Sequence, residues 1–160
     1  SNNWKKLGTE SYYIDSARKR VNVTYFTDKK DARGSEVFFE EVAEATYHLL
    51  GSRVPIGAAS RYGRCNSWDI VIYDLPFATV NDRRVMYWYP WKSLSQNIYG
   101  AYDSVNTSSK NTVAIVISRD APNKKVILAH ELTHYWYDMC LGGGEGVGES
   151  HAAAAEALYR

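Results

Sequence analysis

The segment from His130 to His134 reads His-Glu-Leu-Thr-His and holds two of the four histidines in the chain. Side chains at positions i and i+4 lie on one face of an α-helix, about 6 Å apart along its axis, so both imidazoles can reach one metal ion. Glu131 falls between them, where its carboxylate can hold a water beside the metal without binding the metal itself. Zn²⁺ lowers the pKa of bound water from near 16 toward about 7, and a nearby carboxylate can then take its proton. The spacing therefore predicts a zinc site that activates water, with Glu131 as general base.

A helix must carry this motif, and the surrounding sequence predicts one over 124 to about 141. Its apolar stripe consists of Leu128, Leu132, Tyr135 and Met139. The glycines at 142–144 are expected to end the helix, because glycine loses more backbone entropy on ordering than other residues do. A last helix is predicted over 149–159 from the run of alanines at 152–155. The alternative for the motif is a buried pair of histidines that share hydrogen bonds with Glu131.

At these residues the chain resembles the HExxH zinc metallopeptidases, over roughly its last 35 positions. The resemblance implies a zincin-like domain with one Zn²⁺ and a third protein ligand whose identity sorts the subgroups. A metzincin-like site would have Gly at position 137 and His at position 140, where this sequence has Tyr137 and Cys140. A gluzincin-like site fits better, since its third ligand is a Glu on the helix that follows the active-site helix.

Two glutamates qualify by this resemblance as the third ligand, Glu145 and Glu149. Segment 145–149 resembles the Glu-Gly-x-Ala segment of some such families, and segment 148–153 resembles the Gly-Glu-x-x-Ala segment of others. We favour Glu149 in the first turn of the last helix. A helix that continues past His134 climbs about 10 Å above the metal, and the chain needs a loop to return.

Two further side chains of the last helix are candidates. His151 is a rival third ligand and a candidate for stabilising the transition-state oxyanion, with a plain polar residue as the alternative. Glu156 is a candidate for accepting a hydrogen bond from a ligand histidine, which would fix the tautomer of that ring. The alternative for Glu156 is a solvated carboxylate.

The rest of the chain predicts an α+β domain. The predicted strands are 21–25, 68–74, 84–89 and 113–118. A helix is predicted over 35–50, where apolar side chains return every three or four positions. Segments 57–67 and 93–111 are polar and predicted to be long loops. The order of elements indicates a small mixed or antiparallel sheet packed on an N-terminal helix and on the helix that carries the histidines.

By resemblance, such a domain binds its peptide substrate as an extra strand along an exposed sheet edge near the metal. The strand that precedes the active-site helix supplies the candidate edge, formed by Val113, Ala114, Ile115 and Val116. Glu131 would take a proton from the attacking water and then pass it to the leaving amine.

The sequence therefore predicts a zinc-dependent endopeptidase. Two alternatives stay open: a zinc amidase that acts on cell-wall peptide, and a catalytically inactive metallopeptidase-like binding module. Residues 1–160 are predicted to form one catalytic domain. This domain is either a compact enzyme or one that lacks the C-terminal subdomain of many related enzymes.

Composition narrows the partners. The 160 residues include 19 basic and 18 acidic side chains, and a net charge of +1 gives no basic surface for nucleic acid. The longest aliphatic run, 113–117, is far shorter than the roughly 20 residues that span a bilayer. We expect a monomer that binds a peptide or protein. Short glycosylation patterns at Asn22 and Asn106 favour secretion, and Cys65 and Cys140 are either one disulfide or two thiols.

Overall fold

The computed structural model describes residues 5–27, 38–50, 69–75, 100–103, 112–118, 121–137 and 144–160. Five strands and three helices lie within these ranges. The strands are β1 (Lys5–Ile14), β2 (Lys19–Thr27), β3 (Asp69–Leu75), β4 (Gly100–Asp103) and β5 (Thr112–Ser118). The helices are α1 (Phe39–Leu50), α2 (Lys124–Trp136) and α3 (Gly144–Glu156). The prediction of an α+β chain is confirmed.

The strands form one mixed sheet in the order β1-β2-β3-β5-β4. The two outer pairs, β1 with β2 and β4 with β5, are antiparallel. The two inner pairs, β2 with β3 and β3 with β5, are parallel. The chain therefore leaves the centre of the sheet at the end of β5 and enters α2.

The core forms where one face of the sheet meets the helices. Val21, Val23 and Tyr25 are buried while Asn22 between them is exposed, as the alternating pattern predicts for a half-buried strand. Tyr25, Ile72 and Ile115 stand opposite one another on three neighbouring strands and are all buried. Apolar side chains of α1 and α2 complete the same cluster, including Phe39, Val42, Leu128, Leu132 and Trp136.

Helix α2 begins and packs as predicted. The Oδ1 atom of Asn123 accepts a hydrogen bond from the backbone N–H of Val126 at 3.4 Å, so this side chain caps the helix. Leu128, Leu132 and Tyr135 of the predicted stripe are buried, and Met139 lies outside the described residues.

Within the described part of the chain, no helix is long and apolar enough to cross a membrane.

The last helix begins earlier than predicted. Helix α3 starts at Gly144, inside the glycine run, whereas the prediction placed its start at Glu149. Glycine is well tolerated at the beginning of a helix, where backbone N–H groups have no helical partner in any case. Glu149 consequently lies in the second turn of α3, not in the first.

The predicted substrate-binding edge is wrong. The strand that holds Val113, Ala114, Ile115 and Val116 is interior, because β3 pairs along one side of it and β4 along the other. The described edge on this side of the sheet is β4, which lies within the segment 93–111 that was predicted to be a loop. The predicted strand 84–89 and loop 57–67 lie outside the described residues, as do Cys65, Asn106 and Cys140.

Candidate metal centre

Three side chains from α2 and α3 converge on one point. The Nε2 atoms of His130 and His134 are 2.9 Å apart. The same Nε2 atom of His134 is 2.9 Å from the Oε1 atom of Glu149. The ligand atoms of all three residues lie within 4.8 Å of one another, and this is the group of the described residues that could hold a metal ion. These are the three residues that the sequence predicted as ligands.

Hydrogen bonds alone cannot satisfy all three side chains of this group. The Nε2 atom of His134 faces a ring nitrogen and a carboxylate oxygen at the same short distance, and one imidazole nitrogen carries at most one proton. That proton can be donated in good geometry to one of the two neighbours only. A cation placed among the three atoms would satisfy all of them at once, because each offers a lone pair.

The donor set and its spacing fit zinc. Two imidazoles and one carboxylate are the ligands of a common class of catalytic zinc site, which keeps a fourth position open. Tetrahedral bonds of about 2.1 Å place neighbouring ligand atoms about 3.4 Å apart. The two observed distances of 2.9 Å would open by about 0.5 Å around such an ion, and the third separation, which is at most 4.8 Å, would take the same value.

One side of the centre is open to solvent. The histidine side chains are only 24% and 11% exposed for His130 and His134, whereas the Glu149 side chain is 63% exposed. Glu131 is buried in the folded protein. Of the three candidate ligands, Glu149 is therefore the most accessible to solvent, while Glu131 is enclosed by protein.

Burial shifts the pKa values of two ionisable side chains of the centre, Glu131 and His130. The pKa of the Glu131 carboxyl is raised to about 8, mainly because burial disfavours the charged form and also because the carboxylates of Glu149 and Glu156 are close. Burial also lowers the pKa of His130, with a further contribution from His134, while the two carboxylates act in the opposite direction. A neutral imidazole is the form that binds a metal, so burial keeps His130 ready to bind.

Helices α2 and α3 run in opposite directions across the centre. Glu149 contacts His134, and Glu156 further along α3 approaches His130, which precedes His134 on α2. The Oε1 atom of Glu156 lies 3.5 Å from Nδ1 of His130. The structure thus places Glu156 beside a predicted ligand histidine, on the ring edge that faces away from His134.

The two alternative ligands have different positions. The ring of His151 lies against the ring of Tyr137, with centroids 4.7 Å apart, and His151 is outside the group that could hold a metal. Its Nδ1 atom is buried and has no hydrogen-bond partner among the described residues. Glu145 is the second residue of α3, and its side chain is not among those described.

The strand β4 was not predicted from the sequence, because four residues are too few for a recognisable alternation of apolar and polar side chains.

Comparison with known protein families, with curated proteins and with solved structures finds no match to this chain. The case for a metal centre therefore rests on the geometry of its own residues. That geometry supports a His-His-Glu group able to hold a metal ion.

Proposed function

We propose that this protein is a zinc-dependent endopeptidase with a gluzincin-like site in a zincin-like domain. The observation that carries the proposal is the convergence of His130, His134 and Glu149 on one point, with the buried carboxyl of Glu131 directly next to His130 in sequence. Metal ligands alone would suit a structural site. A buried carboxyl on the same helix as two of the ligands is, in addition, suited to a site that moves protons.

Each residue has a defined part in the proposed reaction. His130, His134 and Glu149 hold the zinc ion. The ion, when bound, supplies a Lewis acid that polarises a carbonyl and lowers the pKa of water. Glu131 accepts a proton from the attacking water on a carboxylate oxygen and then donates it to the nitrogen of the leaving amine. The net reaction adds one water across one peptide bond, and Glu131 returns to its starting state.

The edge of β4 that no other described strand covers is the proposed binding site for an extended peptide. This strand is the described edge on the side of the sheet that α2 packs against. An added strand would form backbone hydrogen bonds with β4 and so run close to the metal centre. Such pairing recognises the backbone of the peptide, so any sequence preference depends on side chains that neighbour β4. The substrate is therefore proposed to be a peptide or an unstructured protein segment.

The proposal is tested by the substitution Glu131→Gln, which keeps the shape of the side chain and removes its ability to take a proton. The expected result is a protein that binds one zinc ion per chain and no longer hydrolyses casein. Glu41→Gln is the matched control, since Glu41 forms a surface ion pair with Lys125 outside the metal centre. Zinc content is measured by elemental analysis and hydrolysis by release of soluble peptides. Activity of the Glu131→Gln protein at the native level would contradict the role of Glu131.

The amidase and the binding module are distinguished from an endopeptidase when the same assays include a cell-wall peptide as a second substrate. A native protein that binds zinc and cleaves cell-wall peptide but not casein is the amidase. A folded native protein that contains no zinc and cleaves neither favours the binding module. Secretion and a monomeric state remain part of the proposal and need their own measurements.

A further inference from the structure

Which ring nitrogen of His130 carries the proton depends on the partner of Nδ1, on the ring edge that faces away from His134. Its Nε2 atom faces His134 and the candidate metal position. A ring that offers the Nε2 lone pair to a metal carries its proton on Nδ1, and that proton needs an acceptor when it is buried. Nδ1 of His130 is buried, and no atom of the described residues meets full hydrogen-bond geometry with it.

One carboxylate oxygen stands close to this nitrogen. Oε1 of Glu156 is 3.5 Å from Nδ1 of His130, and a movement of about 0.5 Å would give an ordinary N–H···O hydrogen bond. The Glu156 side chain is only 18% exposed, so water competes weakly for that oxygen. The opposite carboxylate oxygen, Oε2, is 3.0 Å from a guanidinium nitrogen of Arg160.

Arg160 favours one orientation of the Glu156 carboxylate. Because the two residues are four apart, one turn of helical spacing brings the guanidinium beside Oε2. With Oε2 occupied, Oε1 is the oxygen left for His130. Arg160 is 67% exposed, so its own contribution is modest.

We propose that Glu156, oriented by Arg160, is a positioning residue that holds His130 in the tautomer with its proton on Nδ1 and its Nε2 lone pair directed into the metal centre. The proposal rests on the proposed function insofar as the centre holds zinc. Helix α3 then acts on both histidines, since Glu149 meets Nε2 of His134 and Glu156 meets Nδ1 of His130. Glu156 is not one of the three described residues that could hold the metal.

The first test is made on the metal-free protein. Nitrogen-15 NMR of the histidine rings at pH 8 distinguishes the two neutral tautomers of His130. We expect the Nδ1–H tautomer in the native protein and a shift toward the Nε2–H tautomer in Glu156→Ala. Glu156→Gln keeps the volume and one acceptor oxygen and is expected to give an intermediate result, which covers the case in which the alanine variant fails to fold.

The second test is zinc affinity, measured by competition with a chelating dye. Loss of such an outer partner typically costs about 10–100-fold in metal affinity, and we expect Glu156→Ala to fall in that range. Arg160→Ala should lower the affinity less, because the carboxylate remains. Glu41→Gln is the control, since its ion pair with Lys125 touches the same helix α2 but no histidine. It should keep native affinity.

The outcomes separate this proposal from the proposed function. Native tautomer and native zinc affinity in Glu156→Ala would overturn the positioning role, even if the native protein hydrolyses peptides. A native protein that binds no zinc would overturn the proposed function. In that case the tautomer comparison still decides whether Glu156 orients His130, because it needs no metal.

Discussion

The Nε2 atom of His134 lies 2.9 Å from the Oε1 atom of Glu149, across the boundary between α2 and α3. The histidine is enclosed by the protein, whereas most of the glutamate side chain is exposed. A contact of this kind contributes little to stability, because the attraction to a solvated carboxylate is weak and the side chains lose conformational freedom. The contact is better explained as part of a ligand group than as a link between helices.

Glu149 is therefore expected to matter for zinc and little for folding. Glu149→Ala should lower zinc affinity by more than the roughly 10–100-fold that loss of an outer partner costs, because it removes a direct ligand. Its free energy of unfolding without metal should stay within about 0.5 kcal/mol of the native value, as for an exposed side chain. Chelator competition and urea unfolding measure the two quantities.

Glu145→Ala is the matched control for that variant, because Glu145 is the other glutamate of α3 that resembles a gluzincin ligand. It should keep native zinc affinity. A large loss of affinity in Glu145→Ala, with native affinity in Glu149→Ala, would reverse the assignment of the third ligand.

The contribution of Glu131 to the stability of the metal-free protein should fall as the pH rises from about 4.5 to about 8. The pKa of Glu131 is raised from 4.5 to about 8 in the folded protein, so in this window the unfolded chain loses the proton and the folded chain keeps it. The contribution of Glu131 is fully present below pH 4.5 and declines by up to about 1.4 kcal/mol per pH unit until the folded group also ionises.

Glu131→Gln isolates this effect, because glutamine has no proton to lose. The difference in unfolding free energy between Glu131→Gln and the native chain, both without metal, should grow in favour of the variant from pH 5 to pH 8. Urea unfolding at several pH values measures it. A difference that does not change with pH would mean that Glu131 ionises at its ordinary pKa in the folded protein.

Trp136 is expected to be a main source of stability next to the centre. It is fully buried at the end of α2 and makes an edge-to-face contact with Tyr47 of α1, with ring centroids 5.4 Å apart. Trp136→Ala should cost about 3–5 kcal/mol of unfolding free energy through lost burial and the cavity that remains. Leu49→Ala on α1 is the control, since Leu49 is exposed and its loss should cost less than about 0.5 kcal/mol.

Asn123 has two separable contacts. Its Oδ1 atom accepts from Val126 at the start of α2, and its Nδ2 atom donates to the backbone oxygen of Tyr159 at 2.9 Å. Asn123→Asp keeps the first contact and loses the second, whereas Asn123→Ala loses both. We expect the alanine variant to lose about 1 kcal/mol through the missing cap and more than the aspartate variant loses. Equal losses in thermal unfolding would show that the cap contributes nothing.

The sequence predicted the centre better than it predicted the sheet. His130 and His134 share a helical face because of the fixed geometry of the helix, so their spacing is enough to bring them together. The same helical geometry explains why the buried stripe of α2 could be predicted. Glu149 was predicted only by likeness and by an argument about chain reach. That argument assumed a start of α3 that the structure corrects.

Strand pairing could not be predicted in the same way, because it depends on residues far apart in the chain. The strand β1 was missed since its register shifts between Lys6 and Gly8, which breaks the alternation along it. The strand β5 was correctly predicted as a strand but placed at an edge. No local signal in 112–118 shows that β4 pairs with it from the other side, and β4 itself was predicted to be part of a loop.

The position of β5 in the sheet has a consequence for how the molecule is divided along its sequence. The edge strand β4, the strand β5 and both helices of the centre follow one another in the stretch 100–156, whereas none of the three described residues that could hold a metal lies in β1, β2 or α1. The candidate metal ligands are thus close together in sequence, whereas the core that supports them includes residues of β1, β2, β3 and α1. Changes in the first third of the chain can then alter stability, surface and partners while the reacting groups keep their mutual positions.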